Sequence, residues 1–364
     1  MSFAFTPEEQ SRVEVAKFLG INITPIGYVD LSTIIVLSTM YLVEFVALCY
    51  QLRNRDYLPL KVKNVPVMFS LYFGGVGWML GDMFTGGLVH LRQSALLRNC
   101  AFTVICLRIC IGAYYVTSVF ALRCFSLYHV FYKGKAFKGK IVLLSFGVTI
   151  LSIVLFGVIS AVLPPNLTVR YEDILDLCYY NKGYAGTVVI IIWSTWLYTC
   201  YMNWRLRKVA FCFNERVEIA SIFVITLVIV TMNTVCLFVV NVYAASLAWR
   251  TALIYTNHVG ASTIYWIVMF EPTYNCMFNR EEYLQYWINI LKEDHMEREY
   301  GYASEFNNET TLNWADFDEL PSKASTHSPS TQNVTTCSMN EATMYVPPAD
   351  DASVGGLVSN GAPK

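Results

Sequence analysis

No lysine falls inside any long apolar run of this 364-residue chain, and histidine occurs only five times. The missing lysine excludes a light-driven opsin, which holds retinal as a Schiff base on a lysine of its last helix. The histidines (His90, His129, His258, His295 and His327) share no helical spacing and fall on different sides of the expected membrane. A zinc hydrolase therefore has no ligand set. Neither a Gly-x-Ser-x-Gly elbow nor a phosphate-cradling loop occurs, so no catalytic residue, metal or cofactor is expected. Charge is also scarce: 15% of residues are charged against 55% hydrophobic, which excludes an ordinary soluble domain. The first 28 residues lack a basic start followed by an apolar core, so no cleavable signal peptide is expected. No internal repeat, parallel or inverted, is visible; many secondary transporters have one.

Seven apolar stretches are present, at 29–51, 65–90, 100–122, 141–163, 187–204, 219–242 and 252–270. About 20 apolar residues cover a bilayer core, and a helix satisfies its own backbone there. The sequence therefore predicts an all-α membrane protein, a bundle of seven transmembrane helices spanning 29–270. Thirteen Lys and Arg residues sit in the connections after spans one, three and five, against five in the other three. The positive-inside rule then places residues 1–28 outside and the C-terminus in the cytosol. The sequons at Asn22 and Asn166 fall on the outer side, where glycosylation occurs. Cys100, at the mouth of span three, and Cys178, between spans four and five, are the two cysteines near the outer surface. An oxidising exterior predicts a disulfide between them.

Charged groups within spans are costly and mark candidate sites. Asp82 and Arg108 each lie about eight residues, or ~12 Å, below the outer surface on antiparallel spans. Two readings stand: an ion pair lining an outer cavity, or direct contacts to a ligand. Glu44 and Glu271 lie at similar depths near the inner side and read either as a hydrogen-bonded network or as proton carriers. Tyr114, Trp193, Trp196, Asn233, Asn257 and His258 are candidates to line a ligand cavity, with aromatic packing as the plain alternative. Gly77 and Gly81 have the small-xxx-small spacing that lets a neighbouring helix approach closely.

Pro272 is expected to kink or stop the last span. Residues 271–292 follow as a juxtamembrane segment whose helix, from about 278, puts Tyr283, Leu284, Trp287 and Leu291 on one face to lie in the membrane interface. Cys276 beside it is a candidate for palmitoylation or an idle thiol. Residues 293–364 turn acidic and then rich in Ser, Thr, Asn, Pro and Gly, a composition that predicts a disordered tail.

Three stretches carry a resemblance: Ala121-Leu-Arg-Cys-Phe-Ser-Leu-Tyr-His-Val-Phe131, Phe213-Asn-Glu-Arg-Val-Glu218, and Glu271-Pro-Thr-Tyr-Asn-Cys-Met-Phe-Asn-Arg-Glu-Glu-Tyr-Leu284. They resemble fungal and plant seven-transmembrane receptors, many of them fused to a regulator-of-G-protein-signalling domain. The tail here is too short and polar for that domain. The resemblance implies a plasma-membrane receptor for an extracellular small ligand, acting on a heterotrimeric G protein. Arg123, Arg207, Lys208, Asn214 and Arg216 in the second and third inner loops are then the expected coupling residues. A transporter or channel for a small solute, and a non-signalling scaffold, are the alternatives; nucleic acid is not an expected partner.

Overall fold

A computed structural model describes residues 7–18, 23–131, 140–206, 215–240 and 242–293. The expected disordered tail lies outside the described residues, apart from Glu293. So do Asn22, Arg207, Lys208 and Asn214; Arg216 is described only in its backbone.

The described chain is built almost wholly of helices: α1 (Pro7–Phe18), α2 (Tyr28–Arg53), α3 (Leu58–Val62), α4 (Val65–Thr85), α5 (Ala95–Arg98), a π-helix over Ala101–Tyr114 that runs into α6 (Tyr115–Phe131), α7 (Lys140–Val162), α8 (Lys182–Leu206), α9 (Glu215–Phe238), α10 (Leu247–Phe278) and α11 (Arg280–Glu293). Between α7 and α8 a hairpin of β1 (Val169–Glu172) and β2 (Leu177–Tyr180) pairs antiparallel, with Tyr171 opposite Cys178.

Among the described residues, six helices are long and apolar enough to cross a membrane: α2, α4, the π-helix with α6, α7, α8 and α9. The chain is a helical, multi-pass membrane-type protein. The seventh expected stretch is helical too, as α10, but falls short on apolar composition. Its polar groups Arg250, Asn257, His258 and Thr273 are buried, where other helices rather than lipid surround them. α10 packs against α2, α4 and α9. By contrast α7 is apolar all round and buries only Ile153 and Ser160, the composition of a helix with no water around it.

Several expected boundaries move. The second stretch leaves the helix at Thr85 rather than at residue 90. Gly86 and Gly87 follow, and Gly87 takes φ +75°, a left-handed turn that ends the helix. A side chain there would also meet Leu177 and the Ala244 carbonyl. The sixth ends at Phe238, not 242. Pro272 does not stop α10, which continues to Phe278. Residues 271–278 therefore belong to that long helix, and the amphipathic helix begins only at Arg280. α11 does not lie free: Trp287 is buried, and Tyr283 and Leu284 pack beside Tyr57 and Leu60 of the α2–α4 connection. Arg280 caps the contact, its guanidinium 5.3 Å from the centre of the Tyr57 ring and its carbonyl accepting the Tyr57 hydroxyl at 3.0 Å.

The glycines of α4 set its distance from the next long helix. A Cβ built on Gly77 would stand 2.5 Å from Ile111 Cγ2, and one on Gly81 2.6 Å from the backbone nitrogen of Arg108. Backbone cannot step aside as a side-chain tip does. Gly81→Ala is accordingly expected to cost about 1–3 kcal/mol through overpacking, against the gain of up to ~1 kcal/mol that alanine brings to an unobstructed helix. Thermal unfolding in detergent checks this, and a variant more stable than the parent would contradict the close approach.

Candidate functional site

That close approach brings a buried carboxylate and a buried guanidinium together. Asp82 follows Gly81 on α4, and Arg108 projects from the π-helix directly opposite. Arg108 Nε stands 2.7 Å from Asp82 Oδ1, with the two side chains 7% and 1% exposed. The N–H does not point along that line, since Oδ1 has no hydrogen-bond partner, so the contact is one of charge against charge. Oδ2 accepts from Asn257 Nδ2 at 2.7 Å and lies 3.3 Å from His258 Nε2.

The network spreads from there through four helices. Asn233 of α9 donates to Asn257 Oδ1 at 2.6 Å. His258 Nδ1 and the Tyr41 hydroxyl of α2 are 3.1 Å apart, and Trp78 meets the same imidazole edge-on. Buried polar groups linked in this way hold helices in one arrangement, because any slip leaves a donor or acceptor without a partner.

Arg108 also reaches the connections at the hairpin end of the bundle. Its Nη1 donates to the Tyr180 hydroxyl at 3.1 Å and to the Tyr243 hydroxyl. Its carbon lies 5.8 and 5.6 Å from the two ring centres. Tyr180 arrives there through the disulfide: Cys178 is bonded to Cys100, with Cα atoms 5.7 Å apart. Residues two apart on a strand share a face, so anchoring Cys178 to the head of the π-helix turns Tyr180 toward Arg108. The expected disulfide is thus present. It also closes the end of the bundle over the charge pair.

Beneath Arg108 lies a cavity of about 150 Å³ among the long helices. Arg108, Trp193, Trp196 and Asn233 line it; Asp82, Asn257 and His258 do not, and belong to the network beside it. Tyr114 does not face it. That residue turns to α7, donating to Ser152 at 3.2 Å and packing edge-on against Phe156. Trp193 is held by a bond to Thr234 at 3.1 Å. Glu44 borders the cavity near Ser262, whereas Glu271 is exposed and faces Tyr283. The two glutamates are therefore not brought together as their depths suggested, because the second lies on the outward face of α10.

At the end opposite the hairpin, the Lys63 ammonium bonds both carboxylate oxygens of Glu218 at 2.9 and 2.8 Å, joining the α3–α4 connection to α9. Gln51 links α2 to α10, donating to Thr273 at 2.8 Å and accepting from Tyr265 at 3.0 Å. Arg123, half-buried, points its Nη1 at Met68 Sδ, 3.6 Å away. Cys276 is 4% exposed and accepts from Tyr50 at 3.6 Å. In this arrangement the thiol is out of reach of an acylating enzyme. Asn166 is exposed, with its carbonyl accepting from Asn181 at 3.0 Å.

Like the Lys63–Glu218 pair, a second ion pair is not anticipated by the sequence. Arg250, at the start of α10, binds Asp30 of α2 through Nε at 2.8 Å and Nη2 at 2.6 Å. It also donates to the carbonyls of Thr24 and Pro25 at 3.1 and 3.2 Å. The available signal was a lone carboxylate at the head of span one facing a lone cation at the head of span seven. Among the described residues no group of three or more His, Cys, Asp or Glu is placed to hold a metal ion. Compared with known proteins, the chain matches no protein family, no curated protein and no solved structure.

Proposed function

We propose that this chain is a seven-helix plasma-membrane receptor that passes an extracellular signal to a heterotrimeric G protein, with the hairpin end outside and the C-terminus in the cytosol. The observation that carries the reading is the joining of a cavity to a buried polar network that touches α2, α4, the π-helix, α9 and α10. A guest that displaced Arg108 or Asn233 would disturb bonds on several helices at once, and the ligand would favour whichever arrangement binds it better. The loop-charge asymmetry supports the orientation. The resemblance to fungal and plant seven-transmembrane receptors supports the G-protein partner.

The Lys63–Glu218 bond ties the inner end of α9 to the first inner loop, so in this reading it restrains the helix whose movement the G protein detects. Glu218→Gln removes the charge while keeping the shape. The pair is largely buried, with side chains 3% and 19% exposed; losing about 1 kcal/mol of its charge-assisted bonding is expected to raise ligand-independent nucleotide exchange on Gα about fivefold. Arg123→Glu is expected to abolish exchange with surface expression intact.

The test is nucleotide exchange on a panel of Gα proteins with the full chain reconstituted in lipid. No exchange on any of them, with protein-dependent solute flux in sealed vesicles that Asp82→Asn abolishes, would replace the receptor reading with a transporter.

A further inference from the structure

We propose that the cavity takes a small, neutral, lipophilic molecule carrying one hydrogen-bond-accepting oxygen, and that the Nη2 group of Arg108 is the donor that holds this oxygen. The proposal rests on the receptor reading for the cavity's role and adds the chemical class of the ligand. Three observations converge on it.

The first is an unspent donor. A guanidinium has five N–H groups. Those of Nη1 go to Tyr180 and Tyr243, and Nε is turned to Asp82 as a charge contact without a hydrogen bond. Nη2 donates to nothing among the described residues, although Arg108 is only 6% exposed and lines the cavity. Nη2 is not among the atoms sealed from solvent without a partner, so it is open to water in the cavity, and a guest oxygen would take over that contact.

The second is charge. Asp82 already balances Arg108 at 2.7 Å, and Glu44 borders the same space. A carboxylate guest would add a negative charge facing two carboxyl groups, and no cation among the cavity-lining residues would be left to compensate it. A carbonyl or hydroxyl oxygen accepts the same bond without adding charge.

The third is size and lining. Ile109, Val116, Val188, Ile192 and Val230 supply the wall, and 150 Å³ is the scale at which an apolar cavity takes up benzene. A guest of roughly six to ten heavy atoms fits that space.

The test uses the full chain in lipid nanodiscs without G protein. Titrations of 2-heptanone, heptane and heptanoate are followed by saturation-transfer NMR, with empty nanodiscs as the blank. The ketone is expected to bind at least tenfold more tightly than the hydrocarbon or the acid. Arg108→Lys, which keeps a cation beside Asp82 but lacks the second donor arm, should bring the ketone down to the level of heptane. Ala113→Phe, which fills the cavity without touching the network, should abolish binding of both. Equal affinity for ketone and heptane, tighter binding of heptanoate, or ketone binding that survives Ala113→Phe would each overturn the proposal. If Arg108→Lys does not fold, the parent's selectivity and the Ala113→Phe result still decide it. Selective binding with no effect on exchange would count against the receptor reading alone; exchange without selectivity would count against the ligand class alone.

Discussion

Arg250→Met is expected to destabilise the protein by about 3–5 kcal/mol, the cost of breaking a buried ion pair from one side. It leaves the Asp30 carboxylate, 1% exposed, with the Gly27 backbone N–H at 2.9 Å as its remaining partner among the described residues. It also releases the Thr24 and Pro25 carbonyls, so the segment before α2 loses its attachment to α10. Asp30→Asn should cost less, because the guanidinium keeps both carbonyls and the amide keeps an acceptor oxygen. Replacing both partners, as Asp30→Leu with Arg250→Met, should recover part of the loss, since two apolar groups need no partner. Unfolding midpoints of the parent, Asp30→Leu, Arg250→Met and the double variant close a double-mutant cycle. An Arg250→Met midpoint equal to that of the parent would show that the pair carries no stability.

Removing the disulfide by Cys100→Ser with Cys178→Ser is expected to cost about 2–4 kcal/mol, the usual range for a disulfide; 78 residues separate the two cysteines, so the effect belongs at the upper end of that range. The effect should reach further than stability. Without the bond, Tyr180 has no covalent reason to sit over Arg108, and one of the two hydroxyls that accept from Nη1 is released toward solvent. Reductant added to the intact parent should lower its unfolding midpoint to that of the double variant. A parent whose midpoint ignores reductant would contradict a stabilising bond.

The legible parts of this molecule are those governed by one-dimensional rules. Rise per residue put Asp82 and Arg108 at one depth, and they meet. Position near the outer surface singled out Cys100 and Cys178, and they are bonded. Small-residue spacing marked Gly77 and Gly81, and the helices touch there. What escaped depends on rotation about a helix axis or on loops folding back. Tyr114 has the right depth but the wrong face. Glu271 likewise shares a depth with Glu44 and points away from it. Arg250 falls just before the seventh apolar stretch, so a charge count places it in a loop, although α10 already starts at Leu247. Tyr243 comes from a connection whose path no periodicity describes. The hairpin at 169–180 gives no signal in the sequence, since two four-residue strands (Val169–Glu172 and Leu177–Tyr180) are too short for alternation to stand out. The coupling residues are a different case: most lie outside the described residues, so their expected role stands where sequence left it.

The third long helix begins with fourteen residues in π winding, Ala101–Tyr114, before it becomes α-helical. Bonding from i to i+5 packs more chain into each turn than bonding from i to i+4, so this half of the helix is shorter than its residue count in α winding. It holds chain in reserve. Rewinding a single turn would lengthen the helix and swing Arg108 around the axis, while Cys100 keeps the start fixed to the hairpin. The charge pair is thus mounted on a coil spring anchored at one end.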